Sequence, residues 1–309
     1  MVYLHNDREQ FREAIYLSYQ QTGIMAQAIE KDYYVTLLLQ ILAQEMPYIV
    51  FKGGTSLSKC HKVIQRFSED IDITIDTLLS QGQKRKAKQI ILDAAAELGL
   101  VIDNLDEIRS RRDYNRYVLS YNSVIPMASD ALKPAVLLET SYTAVSFPTV
   151  LLPVHSYVGD MMQNEVPNLV DEYHLSPFEM KVQGIDRTLA DKVFAICDYY
   201  LQSKTAKHSR HLYDIYKLLP LVPQDEKFRQ LLQEVRAVRA QSVVCPSAQP
   251  EVNISDLLLK IINEKAYKQD YDVLTSQLLE EPVPYNTAVK ALEDGSEKKE
   301  WTSFMIPFK

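Results

Sequence analysis

Residues 48–75 read YIVFKGGTSLSKCHKVIQRFSEDIDITI, and two signals in this stretch decide how the rest of the chain is understood. The first is the short apolar run Tyr48 to Phe51, which stops at Lys52-Gly53-Gly54 and predicts a strand entering a tight turn. A helix is expected to follow from near Ser56, with Leu57, Cys60 and Val63 or Ile64 on its inner face. The second signal is FSEDIDITI, residues 67–75. In an extended chain Ser68, Asp70, Asp72 and Thr74 share one face, while Phe67, Ile71, Ile73 and Ile75 supply apolar bulk on the other. This predicts a half-buried strand with a carboxylate face.

Two carboxylates one residue apart on a strand project side by side, within reach of the same divalent cations. Metal-assisted phosphoryl and nucleotidyl transfer needs such hard oxygen ligands rather than imidazole or thiolate. Surface strands also carry paired acids, so Asp70 and Asp72 do not decide the matter alone. Gly53-Gly54-Thr55-Ser56 lies at a strand-to-helix turn, where glycines let the backbone approach a phosphate and free N–H groups favour an anion. In isolation these four residues read equally as a tight turn with a Thr or Ser cap. They are not a Walker loop, whose Lys and Ser or Thr are missing at the required spacing. The two signals together favour a triphosphate site. Lys52, Lys59 and Arg66 flank it and either neutralise phosphate charge or lie in solvent. Ser68, on the Asp70 face, either bonds a phosphate or fills the polar side of the strand.

Apolar residues recur at helical spacing from Arg12 to Gln44, broken near Thr22-Gly23, which predicts two helices. Residues Gly82 to Gly99 predict an amphipathic helix, and Leu100 to Asp103, Tyr114 to Tyr121 and Ala135 to Thr140 predict strands. Beyond Pro153 strand signals fade. Thr188 to Tyr200, Arg210 to Leu219, Asp225 to Ala240 and Ser255 to Glu264 all predict helices. The expected organisation is therefore N-terminal helices over 1–45, an α/β core over 46–153 and a mainly helical domain over 154–309, an α+β chain. The ending WTSFMIPF is expected to pack on the body.

The sequence has 309 residues, 46% of them hydrophobic and 24% charged, which is enough for two domains and excludes a disordered chain or a repeat array. Its polar start and the lack of a long apolar run predict no membrane span, with the cytoplasm as the expected location. Cys60, Cys197 and Cys245 are an odd number without metal-ligand spacing, so no disulfide framework or zinc site is expected. The histidines show no zinc spacing either. A net charge of -7 argues against nucleic-acid binding through the global field. Local basic clusters remain at Lys84-Arg85-Lys86 with Lys88, at Arg109 with Arg111, Arg112 and Arg116, and at Lys204, Lys207, His208 and Arg210.

KGGTSLSK followed by RFSEDIDIT resembles the AbiEii/AbiGii toxin family of nucleotidyltransferases, a branch of the DNA polymerase β-like superfamily. The spacer from Thr55 to Asp70 stands at the long end of the superfamily pattern. TLADKVFAICDYY, residues 188–200, is similar to the family's Lys-bearing helix, and RHLYDIYKLL, residues 210–219, to its Arg-x-x-x-Asp helix. Upstream, IEKDYYVTLLL, residues 29–39, is similar to its N-terminal helix motif. The resemblance spans roughly residues 24–220. It implies a polymerase β-like core of mixed sheet and flanking helices, with Asp70, Asp72, Lys192 and Asp214 as catalytic residues. It also implies a phosphate site of Gly53, Gly54, Thr55, Ser56 and Ser68, with Lys59 and Arg66 beside it, and a third metal carboxylate at Glu139, where the superfamily more often has Asp.

Without the resemblance Lys192 reads as a snorkelling helix lysine, Asp214 as an ion-pair partner of Arg210 at i, i+4, and Glu139 as a strand-end acid. With it, the expected reaction is transfer of a nucleoside monophosphate from an NTP, with Mg2+ or Mn2+, to the tRNA 3′ end, which blocks translation. The chain would be the toxin of a toxin–antitoxin pair, its antitoxin encoded next door. Arg109 to Arg116 and Lys204 to Arg210 would meet the RNA backbone. Nucleotidylation of a protein side chain and a non-catalytic NTP sensor are the alternatives.

Overall fold

The computed structural model describes residues 2–66, 68, 70–126, 133–145 and 147–297. Two compact units make up the chain: Met1–Cys60 with Ser68–Val182, and His61–Phe67 with Gln183–Lys309. A seven-residue piece of the second unit, His61–Phe67, thus interrupts the first.

The first unit opens with α1 (Arg8–Thr22), whose first turn is capped by the Asp7 carboxylate accepting from the Glu9 and Gln10 N–H groups. Gly23 ends it with φ 73°, a left-handed residue that glycine adopts without penalty. Next comes α2 (Ala26–Glu45), which buries Ile29, Tyr33, Leu37, Leu38 and Leu42. β1 (Ile49–Lys52) follows and runs into α3 (Gly53–Lys59). After it come β2 (Asp70–Ile75), α4 (Gln81–Glu97), β3 (Val101–Ile102), β4 (Tyr114–Ser120) and β5 (Ala135–Val145). The unit closes with β6 (Thr149–Val154), α5 (Tyr157–Glu165) and β7 (Phe178–Gln183).

Seven strands form one mixed sheet in the order β3-β4-β5-β2-β1-β7-β6. β2 runs antiparallel to β1 and parallel to β5, so it lies inside the sheet. The expected alternation holds at the carboxylate end of the strand: Ile71, Ile73 and Ile75 are buried and Asp70 and Asp72 half-buried, but Thr74, the next residue of the polar face, is buried as well. On the apolar face Ile71, Ile73, Phe51, Leu138 and Tyr117 join the side chains of α2 and α4 in one core. The opposite face carries the carboxylates.

Two features depart from the sequence expectations. Helix α3 begins at Gly53, not near Ser56, and ends at Lys59, so Cys60 is its cap and the buried Ile64 lies in the following loop. Strand β7 lies beyond Pro153, where strand signals fade, and β6, which ends there, is not among the expected strands. β7 buries only Met180, Val182 and Gln183, and Lys181 between them, with Glu179 just before, leaves too short an alternation to stand out. Strand β6 is mostly exposed and lacks a buried face. Phe67 and the ending WTSFMIPF lie outside the described residues.

The second unit is helical, as its sequence predicts: α6 (Ile185–Leu201), α7 (Arg210–Leu218), α8 (Glu226–Arg239), α9 (Ile254–Asn263) and a helix over Tyr285–Glu297. Leu189, Phe194, Leu212, Ile215, Leu232, Leu258 and Ile262 are among its buried side chains. Asp225 and Asn253 cap α8 and α9 through their side-chain oxygens. The buried Asp198 is fully engaged: Arg239 Nη2 donates to it at 2.7 Å, and the backbone and hydroxyl of Ser247 donate at 2.8 and 2.7 Å. This ties α6 to α8 and to the turn beyond it. Among the described residues no helix is long and apolar enough to cross a membrane.

Candidate active site

Strand register assembles a row of charge across the polar face of the sheet. Lys52 of β1 lies opposite Asp72 of β2, Asp72 opposite Glu139 of β5, and Glu139 opposite Arg116 of β4. Directly paired residues share a face, so a lysine and an arginine bracket two carboxylates, with Asp70 two residues along β2 on the same side. The Arg116 guanidinium is 3.6 Å from Glu139, half in solvent. Tyr114, two residues before Arg116, also hydrogen-bonds Glu139. Burial and then the Glu139 charge push the Tyr114 phenol upward, so it stays protonated and donates.

Gly53 is why Asp72 can sit where it does. Its φ is 81°, in the left-handed region, and a Cβ there would lie 2.0 Å from Asp72 Oδ2 and 2.8 Å from its Cγ. The carboxylate occupies the space that any other residue's side chain would fill. The adjoining hydroxyls fasten this turn to β2. Thr55 Oγ1 donates to the Asp70 carbonyl at 2.5 Å and lies 3.0 Å from Ser68 Oγ, while Ser56 Oγ donates to the Gly53 carbonyl at 2.9 Å. Thr55 and Ser56 are buried, so their hydroxyls serve the turn itself.

Lys59 and Arg66, expected beside the phosphates, are both buried in ion pairs. Lys59 Nζ meets Asp32 Oδ1 at 2.5 Å, and Asp32 Oδ2 accepts the Tyr157 N–H at 3.0 Å. The Asp of the N-terminal helix motif thereby joins α2, α3 and the start of α5. Arg66 belongs to the second unit and is described with it below.

Hard oxygens converging on one sheet face suit Mg2+ or Mn2+, and the Gly53 cradle holds Asp72 against the turn; Asp70 and Asp72 fit such an ion. Glu139 shares their face but is drawn toward Arg116 and Tyr114. Accordingly, among the described residues no three acidic, His or Cys side chains gather as a ready metal cluster.

In the second unit Asp214 of α7 is fully buried and clasped by two cations. Arg66 Nε and Nη2 donate to its two oxygens at 2.7 and 2.8 Å, a bidentate fork, and Lys192 Nζ of α6 lies 2.8 Å from Oδ2. Burial alone would raise the Asp214 carboxyl, but Arg66 and Lys192 outweigh it and hold the group well below the usual carboxylate range. Burial pulls the Lys192 ammonium down against the attraction of Asp214. Lys192 and Asp214 are thus brought together, and Arg66 joins them. His211 Nδ1 lies 3.4 Å from Lys192 Nζ. Burial, reinforced by Lys192, lowers His211 to about 3, so its ring is neutral at pH 7.

A pH dependence follows from these shifts. Below about 6.5 the unfolded chain protonates His211, while the folded protein does not until about pH 3. The unfolded state therefore binds more protons in this window, and stability falls as pH falls through it. His5, lowered to about 4 by burial, adds the same sign. Asp214 contributes stability that is present above about pH 4, the ordinary carboxylate value, and lost only in stronger acid. Melting temperature is expected to drop steadily from pH 7 to pH 5, before most carboxylates titrate; a flat profile over that range would count against the buried neutral histidines.

Asp32, Tyr114 and the pairing of Arg66 were not apparent in the sequence. Asp32 sits inside the quoted helix motif without any mark of a distant partner, and Arg66 finds Asp214 across 148 positions. Tyr114 and Arg116 had an available signal, since their i, i+2 spacing places both on one face of β4.

Compared with known proteins, residues 36–308 match the family model described as nucleotidyl transferase AbiEii toxin, type IV toxin–antitoxin system. Among solved structures the chain is similar to MenT4, a nucleotidyltransferase toxin from Mycobacterium tuberculosis, with a TM-score of 0.52 at 15% identity over 95% of this chain and 89% of that one. Comparison with curated protein sequences gives no match. The likeness to MenT4 is one of fold.

Proposed function

Since this chain belongs to the AbiEii nucleotidyltransferase family of type IV toxin–antitoxin toxins, we propose that it moves a nucleoside monophosphate from an NTP to the 3′ end of tRNA and so blocks translation. The observation that carries the reading is the carboxylate face of β2, with Asp72 set against the Gly53 turn and Asp70 two residues away on the same face. Asp70 and Asp72 would hold a divalent cation, with Glu139 on the same face as the third oxygen donor. Such an ion, when bound, polarises phosphate oxygens and eases loss of pyrophosphate. The acceptor oxygen attacks the α-phosphorus, the bond to the pyrophosphate oxygen breaks, and one nucleotide is added.

The chain's own groups supply the rest. Gly53 and Gly54 keep the turn free of side-chain bulk where a triphosphate would approach, and Lys52, opposite Asp72, offers it a cation. Ser68, half-buried on the Asp70 face, completes the polar side of the turn. Lys192, positioned by Asp214, is the lysine we assign to phosphate charge. Arg66 and Lys59 act one step back, holding Asp214 and α3 rather than substrate. Exposed Arg109, Arg111 and Arg112, with Lys204 and Lys207, are the cations for the RNA backbone. We also propose a cytoplasmic location, where tRNA is found, and a cognate antitoxin encoded next door.

The test is incubation of the pure protein with total tRNA, Mg2+ or Mn2+, and each α-labelled NTP in turn, beside Asp72→Asn. Label is expected in tRNA with one or more NTPs and a loss of at least about 100-fold in the variant, the order seen when a key charge-stabilising group is removed. Label found only in the protein fraction would move the acceptor to a side-chain hydroxyl. Nucleotide binding without pyrophosphate release would make the protein a sensor.

A further inference from the structure

Next to the Lys192–Asp214 pair, three rings of the second unit lie nearly parallel. Tyr199, near the end of α6, stacks on His208 with centroids 3.5 Å apart and planes 8° apart. His211, at the start of α7, lies 6.0 Å from Tyr199 and 6.2 Å from His208, with planes 8° and 16° away. His211 also reaches Lys192 Nζ at 3.4 Å, so the ring set runs from the surface to the assigned phosphate lysine. Tyr199 and His208 are half-buried, while Lys204 and Lys207 beside them are exposed in a chain of net charge -7.

The loop carrying these groups is held in shape at some expense. Ser203 and Lys207 adopt φ of 56° and 68°, the left-handed region that non-glycine residues seldom visit. Asp270 fixes the turn by accepting the Lys207 and Ser209 N–H groups at 2.6 and 3.1 Å, and Ser209 Oγ lies 2.7 Å from Thr275 Oγ1. A rigid loop that sets lysines beside a flat aromatic stack, next to a buried lysine, has the parts of a nucleotide-binding shelf. Ring faces take a base of any sequence, and ammonium groups take its phosphate.

We propose that Tyr199, His208 and His211 form a stacking shelf for a nucleobase whose phosphates are met by Lys204 and Lys207. The ligand class is a nucleotide, supplied either as the incoming NTP or as an unpaired end of the acceptor RNA. The shelf deepens the nucleotidyl-transfer reading and rests on it.

The full-length protein is titrated with two probes carrying the same fluorescent base, a 2-aminopurine ribonucleoside triphosphate and a short single-stranded oligoribonucleotide containing 2-aminopurine. Stacking quenches this base. His208→Leu is expected to weaken one probe by about 5- to 100-fold and to relieve its quenching, whereas His208→Phe, which keeps a ring, preserves both. Loss confined to the triphosphate assigns the shelf to the NTP, and loss confined to the oligonucleotide assigns it to RNA. The double variant Lys204→Gln, Lys207→Gln, both surface positions, is expected to weaken the same probe and flatten its salt dependence; it carries the test if His208→Leu melts early. Failure of both probes to bind wild type, or equal binding and quenching in wild type, His208→Leu and the lysine variant, overturns the shelf. Label transfer that persists in Asp72→Asn instead overturns the carboxylate reading and leaves these titrations unaffected.

Discussion

Gly53→Ala is expected to abolish most nucleotidyl transfer while leaving the protein folded. Two effects act at this position. A φ of 81° strains any residue with a Cβ, by about 1 to 2 kcal/mol. The new methyl would also stand 2.0 Å from Asp72 Oδ2, and the softest response is rotation of that carboxylate. Rotating Asp72 away harms the fold little, because the carboxylate is half-buried at the polar face of β2. It removes an oxygen donor from the place we assign to the cation. Displacements near 1 Å at reacting centres cost on the order of 100-fold in rate, so a loss of at least that size is expected in label transfer, with a melting temperature lowered only slightly. A Gly53→Ala protein of near-normal activity would refute the pairing of this turn with Asp72.

The second large effect concerns stability. Asp214→Ala would leave Arg66 and Lys192 buried together without their shared anion, turning a cluster of net charge +1 into one of +2. Breaking a buried pair in this way typically destabilises by about 3–5 kcal/mol, a large part of the stability of an ordinary domain. Denaturant unfolding should show the midpoint falling accordingly, or no folded protein at 37 °C. Lys192→Met is the informative contrast. It leaves Arg66 and Asp214 as a neutral bidentate pair, so most of the stability should survive while transfer is lost. If Lys192→Met were as destabilising as Asp214→Ala, the lysine would be a structural counter-ion first and a phosphate contact second.

Local pattern made one half of this arrangement readable and distance hid the other. The alternation of FSEDIDITI places Asp70 and Asp72 on one face whatever the rest of the chain does, because a strand has a period of two. The glycine pair before it marks a turn for equally local reasons. Helices α6 to α9 announce themselves through repeated apolar spacing over two turns or more. By contrast, Lys59 and Arg66 look like solvent-facing cations beside the motif, and their burial depends on Asp32 and Asp214, which lie 27 and 148 positions away. Nothing in the spacing of a lysine reveals a distant carboxylate. β7 escaped notice for a different reason: its buried residues are too few to outweigh the charges beside them.

The interruption of the first unit by His61–Phe67 limits how such a protein can be inherited. A gene cut after Val182 would keep the whole sheet together with Arg66, yet discard α7 and Asp214. The fragment would be left with a buried-type arginine and no anion to receive it. Fusion of a foreign helical module at the same junction meets the same obstacle unless it brings an acid to the matching spot. Sheet and helical half should therefore travel through evolution as one indivisible cassette, with change confined to loops and to the periphery of each unit.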